Sequence, residues 1–414
     1  MSRTPPAPRR PPKGRRSVLF VHDRFPGQFG GLARWLASRG WEVAVATRQP
    51  PPAECGGMRV IAYAPHREPS AATHPYAQPM DRAALNAQGF ARAALAARRD
   101  GYRPDVILSH TGWGAGLFAR DVFPEAAFVA YAEWWYNHPG ADTAFLAGLA
   151  GGQSEAVEAP MHERSRNAPI ALELAAADAA ICPTRFQAAQ FPPALRGALR
   201  VLRDGVDTAF FRPDPSPDDP TLGGLVPAGA PLVTYATRGM EPHRGFPQFM
   251  AALPRVLAAH PDAVVAIAGG NEVAYGGDAL RAVDWKARAL AAHDLDPARV
   301  RFVGTLSLPA YLRLLQRSDA HVYLTVPFVL SWSMLEAMSA AAPLVLSDTA
   351  PVREFAGEDE AVLVGFDPAA IADGVSAVLR GPSRARGLAA RERVRAVACA
   401  AREFPRKERL LSQL

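Results

Sequence analysis

Short apolar runs recur along the chain, each followed by a longer stretch with helical period. Val18-Leu19-Phe20-Val21 is the first, an amphipathic pattern over 28–39 follows it, and Glu42-Val43-Ala44-Val45-Ala46-Thr47 comes next. Such runs are the signature of strands buried on both faces of a parallel sheet. The series continues at 105–109 and 127–131 and, after helical pattern around 164–177, at 179–183. Proline and aspartate then crowd residues 212–220, and the rhythm restarts with predicted strands at 231–235, 263–268, 300–303, 320–325, 343–347 and 361–364. Strands alternating with helices predict a doubly wound α/β sheet, so two such series predict two Rossmann-like domains. Residues 383–414, rich in alanine and arginine, read as helical, and no repeat of solenoid period is present.

The most informative stretch runs from Val326 to Met338, where a buried strand and a turn lead into a helix carrying Glu336. Free N–H groups and the positive dipole end of a helix start favour a phosphate, and a carboxylate just beyond suits a ribose diol. Taken alone, such a glutamate is as readily a surface charge stabilising the helix dipole. Two arginines upstream shift the balance. Arg238 and Arg244 follow the apolar run 231–235, which puts both at the carboxyl edge of a strand, where open parallel sheets bind ligands. Two cations and a helix start can then meet one diphosphate. The backbone groups near Ser331, Trp332 and Ser333 supply the helix start.

His110 ends a predicted strand beside a glycine-rich turn, from which an imidazole can reach a sugar hydroxyl. Gly27 and Gln28 sit between a strand and a helix, where backbone can approach a phosphate closely. Glu133, in Ala132-Glu133-Trp134-Trp135-Tyr136, is a candidate for the acceptor side, at another strand end among rings that stack on a sugar or a lipid acceptor as readily as they fill a core.

Together these segments resemble the retaining glycosyltransferases of family 4, with the two-domain GT-B fold. The resemblance rests on Phe25-Pro26-Gly27-Gln28-Phe29, Leu36 to Val43, His110 in Ser109-His110-Thr111-Gly112-Trp113-Gly114, Asp204-Gly205-Val206-Asp207, the Arg238/Arg244 pair and Leu335-Glu336-Ala337-Met338. It implies two Rossmann-like domains facing a cleft: 17–205 presenting the acceptor, 206–395 holding a nucleoside diphosphate sugar, and 396–414 crossing back to the first domain. It also implies that Glu336 takes the ribose hydroxyls, that Arg238 and Arg244 neutralise the diphosphate, that His110 orients the donor sugar, and that Gly304, in Phe302-Val303-Gly304-Thr305, lies near the base. Transfer would retain the anomeric configuration, and the leaving phosphate would take the acceptor's proton, so that no protein base is required; no cofactor is expected. The acceptor is expected to be a glycan, a lipid-linked sugar or a small molecule.

One departure marks a divergent subgroup. The family carries two glutamates separated by seven residues; here the second is Glu336 and the first position holds Phe328. An aromatic ring cannot hydrogen-bond a sugar hydroxyl, so donor choice is expected to differ. A noncatalytic nucleotide-sugar-binding protein, or a hydrolase or epimerase of the same fold, is the alternative this substitution motivates.

Charge changes the picture little. The formal net charge is +6, and residues 1–16 carry Arg3, Arg9, Arg10, Lys13, Arg15 and Arg16 without an acid. From residue 17 onward basic and acidic residues balance, which gives no argument for nucleic-acid binding. The leader, basic and proline-rich, is expected to be disordered and to touch anionic membranes only weakly. It lacks the apolar core of a signal peptide, and no apolar run is long enough to span a bilayer. Cys55, Cys182 and Cys399 are few and widely spaced, which fits a reducing cytoplasm. The ten histidines show no metal-ligand spacing and no paired acidic motif of the kind that holds a divalent cation against a diphosphate is evident, so metal independence is expected.

Overall fold

The computed structural model describes residues 15–49, 56–151, 158–214 and 221–414. Cys55, the leader up to residue 14 and the 215–220 part of the proline-aspartate segment lie outside the described residues. The chain divides into two compact units, one of 1–139, 156–204 and 402–414, the other of 140–155 and 205–401.

The first unit holds seven parallel strands: β1 (Ser17–Val21), β2 (Glu42–Thr47), β3 (Arg59–Ala62), β4 (Val106–His110), β5 (Ala127–Tyr131), β6 (Ala179–Cys182) and β7 (Leu199–Val201), in the order β3-β2-β1-β4-β5-β6-β7. β1, β4 and β5 are buried along their whole length because helices cover both faces, as their unbroken apolar sequences require. The second unit holds six parallel strands, β8 (Leu232–Gly239), β9 (Val264–Gly270), β10 (Val300–Gly304), β11 (Ala320–Tyr323), β12 (Leu344–Ser347) and β13 (Val362–Val364), ordered β10-β9-β8-β11-β12-β13. Both sheets therefore reverse direction at one place, between β1 and β4 and between β8 and β11. That switch point, at the strands' carboxyl ends, is where a doubly wound sheet opens a crevice. Fully buried rings such as Phe20, Phe90 and Phe128 in one unit and Phe249, stacked 4.7 Å from Tyr235, in the other anchor the cores, each contributing about 1.5–3 kcal/mol.

Several boundaries differ from the sequence reading. The edge strands β3 and β7 carry too few buried residues to stand out as apolar runs. The C-terminal segment is two helices, Ser383–Ala398 and Ala400–Gln413, parted at Cys399. The second of these packs on the first unit, with Phe404 6.0 Å from Trp35 and the Trp41 indole donating to Glu408 at 3.1 Å. Residues 140–155, placed by sequence within 17–205, belong to the second unit instead. Phe145 of the helix Ala141–Leu149 meets Phe366 edge-on at 5.0 Å, and Asp142 lies 3.4 Å from His243, contacts that chain order alone does not announce.

Candidate active site

At the switch point of the first unit, parallel pairing sets Val21 against Ser109 and His110 against Tyr131. The residues that follow are thus delivered side by side: His22 after β1, His110 at the end of β4, and Glu133 just past β5. The two imidazoles lie 5.0 Å apart, edge to face. Their Nδ1 atoms each accept a backbone N–H, from Arg24 at 2.9 Å and from Gly112 at 3.1 Å. In the neutral rings the proton therefore sits on Nε2 in both. His22 Nε2 donates to the Gln28 side-chain oxygen at 2.8 Å, and the Gln28 amide donates to Glu133 Oε1 at 2.5 Å. Glu133 Oε2 lies 3.4 Å from His110 Nε2, which is shielded from solvent and has no hydrogen-bond partner.

Burial, reinforced by the neighbouring His110, lowers the His22 pKa to about 3, so this ring is neutral at any physiological pH. Burial alone would raise the pKa of Glu133, but His110 and the Gln28 amide more than offset it and hold the carboxyl below its usual range. Gly27 has a reason to be glycine here. Its φ is +38°, and a Cβ would come within 2.7 Å of the His22 ring. The structure thus brings Gln28, His110 and Glu133 together with His22, which the sequence reading missed. The signal was available: His22 directly follows a buried strand, as His110 ends one. A buried acid completes this region. Glu173, on the helix Ala159–Ala176, accepts from Ser109 Oγ at 3.2 Å, and burial raises its pKa to about 8.

The second unit carries the opposite charge at its switch point. A 3-10 turn, Pro242–Arg244, follows β8, and Gly245 ends it at φ +63°, where a Cβ would meet Leu324 at 2.7 Å. This tight approach turns Arg244 inward. Its guanidinium is 5% exposed and donates to the Tyr323 hydroxyl at 3.3 Å, Thr325 Oγ1 at 2.8 Å and the Val329 carbonyl at 3.0 Å, with the Tyr275 ring 5.0 Å away. All three acceptors are neutral, and no carboxylate among the described residues forms an ion pair with it. Glu241, the nearest acid in the turn, is itself buried and accepts from the Tyr275 N–H at 2.8 Å.

The other predicted residues of this unit are placed as follows. Arg238 lies in β8 beyond a register irregularity and is exposed, so the two arginines do not share one environment. The helix Trp332–Ser339 is capped by its own serine rather than left open. Ser331 Oγ accepts from the Ser333 N–H at 3.3 Å, and the Ser331 N–H donates to the Tyr323 hydroxyl at 2.9 Å. Ser331 thus supplies the cap of the helix start to which the sequence assigned backbone donors. Trp332 is 40% exposed, and Gly304 closes β10 in the open. Glu336 is half-buried on the second turn of that helix; burial pushes its pKa up to about 7, and the Tyr311 hydroxyl only partly opposes this. Phe328, 8% exposed, sits edge-on to Tyr275 at 5.1 Å and to His243 at 5.4 Å, so an aromatic cluster occupies the position of the family's first glutamate.

No group of three or more possible metal ligands occurs among the described residues, and none of their helices is long and apolar enough to cross a membrane. Comparisons with known proteins agree with the two-unit architecture. A glycogen synthase from Mycobacterium tuberculosis (strain CDC 1551 / Oshkosh) is 29% identical over 409 residues, which cover 91% of this chain and 90% of that protein. Among solved structures, sucrose-phosphate synthase from Thermosynechococcus elongatus gives a TM-score of 0.70 at 19% identity, over 96% of this chain and 99% of its own. Anabaena HepE in complex with UDP-glucose gives 0.68 at 16% identity, over 96% and 100%. At such identities these likenesses establish the fold, two parallel-sheet α/β units as in GT-B glycosyltransferases. Residues 39–211 match the family model described as Glycosyl transferase family 4 group and residues 230–381 the one described as Glycosyl transferases group 1, so the chain belongs to the glycosyltransferases, a family 4 domain followed by a group 1 domain.

Proposed function

We propose that the second unit binds a nucleoside diphosphate sugar and that the enzyme transfers the sugar to a hydroxyl-bearing acceptor with retention of configuration. The observation that carries this reading is Arg244. Its direct hydrogen bonds go only to neutral groups and the Glu241 carboxylate reaches it only through its field, so a further anion would complete a charge taken out of water. A diphosphate supplies that anion at the switch point of the sheet. Arg238, exposed on the same strand's end, adds a second positive charge. HepE has been solved in complex with UDP and with UDP-glucose, which makes a uridine diphosphate sugar the first donor to test.

In this reading Glu336 accepts the ribose hydroxyls, the base lies toward Gly304, and the charge developing on the leaving diphosphate is stabilised by Arg244 and Arg238. The first unit presents the acceptor, with Gln28, His110 and Glu133 facing sugar hydroxyls. Because protein cations neutralise the leaving group, activity should persist in excess chelator; complete loss, restored by magnesium or manganese, would contradict the mechanism. The deciding experiment is calorimetric titration of UDP into the parent and Arg244→Ala. Unchanged affinity in the variant would sink the donor site.

A further inference from the structure

The four side chains at the first unit's switch point differ in what a ligand can reach. His22 and His110 are each 4% exposed, and both nitrogens of each ring face protein atoms. Gln28 has spent its oxygen on His22 and an N–H on Glu133. The Glu133 side chain is 23% exposed, with Oε1 occupied by Gln28 and Oε2 3.4 Å from His110 Nε2 without forming a hydrogen bond to it. The imidazoles lie behind the carboxylate.

We propose that Glu133 is the group of this unit that meets the acceptor, taking a free hydroxyl of a sugar or polyol at Oε2, and that His110, Gln28 and His22 are positioning residues that act through it. The inference rests on the transferase reading above and narrows one part of it, in which Gln28 and His110 face sugar hydroxyls together with Glu133. A carboxylate accepts a hydroxyl proton well and repels a phosphoryl group, so the contacted position of the acceptor carries an unmodified hydroxyl. The backbone N–H groups that fix Nδ1 of both rings leave each with one outward proton. His22 aims its proton at Gln28 and His110 aims its own toward Glu133, an arrangement that holds a carboxylate in place.

The test uses the full chain with UDP-glucose as donor and a panel of hexoses, disaccharides and hexose phosphates as acceptors, read by release of UDP. The best acceptor is then compared with its monodeoxy analogues. Glu133→Ala should raise the acceptor KM by about 10- to 100-fold, the worth of a charge-assisted hydrogen bond, while leaving UDP affinity by calorimetry unchanged. One deoxy analogue should be impaired with the parent and no worse than its hydroxylated counterpart with Glu133→Ala. His110→Gln should raise the same KM less, and should add little when combined with Glu133→Ala, because it acts through that residue. Gln28→Ala provides the same comparison if His110→Gln does not fold. Three results would overturn the proposal: His110→Gln effects that add fully to those of Glu133→Ala, an unchanged acceptor KM in Glu133→Ala, or no transfer to any sugar by a parent that binds UDP. A parent that does not bind UDP defeats the donor reading instead, and saturation-transfer NMR with the same sugars on parent and Glu133→Ala then decides the Glu133 contact.

Discussion

The two units share a strand order and differ in the charge they hold at the place where that order reverses. In the first, a carboxylate is gripped by an amide and flanked by two imidazoles, of which that of His22 is neutral. In the second, a buried guanidinium is gripped by hydroxyls and a carbonyl. The sheet decides where a ligand can sit, because only there do neighbouring loops part. The side chains decide what the ligand must be. Hydroxyl groups suit the first environment and a diphosphate suits the second, which is the division of labour a sugar transfer needs. The fold alone could not have assigned either.

The largest expected effect comes from removing the cation. Arg244→Met should weaken UDP binding by roughly 10- to 100-fold, as expected for a charge-assisted contact. Unliganded stability should change far less than binding, since the same substitution also removes a buried charge that forms no ion pair at contact distance. Arg238→Ala, at an exposed position, should weaken binding by a smaller factor. Calorimetry and thermal unfolding on the same samples check both. Equal losses from the two arginines would erase the distinction drawn between a buried and an open cation.

How much of this was legible in sequence follows from the physics of each element. Strands buried on both faces announce themselves as apolar runs, so β1, β4, β5, β8 and β11 were readable, whereas the part-exposed edges β3 and β7 were not. Residues that end such strands were also readable: His110, Glu133, Arg238 and Arg244 were all singled out there. Orientation was not readable. Nothing in the order of residues shows that Gly245 turns Arg244 inward or that His110 stands behind Glu133. Those depend on contacts between segments 20 to 110 residues apart, such as Gln28 with Glu133. The placement of 140–155 with the second unit likewise rests on Phe145 and Phe366, which no local pattern links.

The next effect probes the acid buried beneath the first unit's switch point. Glu173 has a pKa of about 8 in the folded protein against 4.5 for an ordinary glutamate. The folded state thus binds this proton more tightly than the unfolded chain, so stability is greatest below the unfolded value and falls as pH rises through the folded one. Between pH 7 and pH 9 the loss should be about 1.4 kcal/mol. Glu173→Gln keeps an acceptor for Ser109 and has no proton to lose, so its stability should stay flat over that range. Denaturant unfolding at the two pH values compares them. Parallel curves for parent and variant would show that the carboxyl is not held protonated.

The smallest effect concerns Glu336, where the two units come nearest to using the same chemistry. In the proposed reading both offer a carboxylate to hydroxyl groups, but Glu133 is held below the usual carboxylate range, while burial pushes Glu336 to about 7. A protonated carboxyl is a weaker acceptor for a ribose diol than a carboxylate. Nucleotide affinity should therefore rise with pH as Glu336 ionises, by about three- to tenfold between pH 6 and pH 8. The terminal phosphate of UDP also ionises in this range and would strengthen its attraction to Arg244, so the parent curve alone decides nothing. Glu336→Gln separates the two contributions, because the phosphate still titrates while the side chain does not. If the carboxylate takes the ribose hydroxyls, the variant should bind UDP more weakly than the parent at pH 8, and the gap should narrow toward pH 6. A gap that is constant across the range would mean that Glu336 supports the helix and not the ribose, leaving Arg244 as the only buried contact to the nucleotide proposed for this unit.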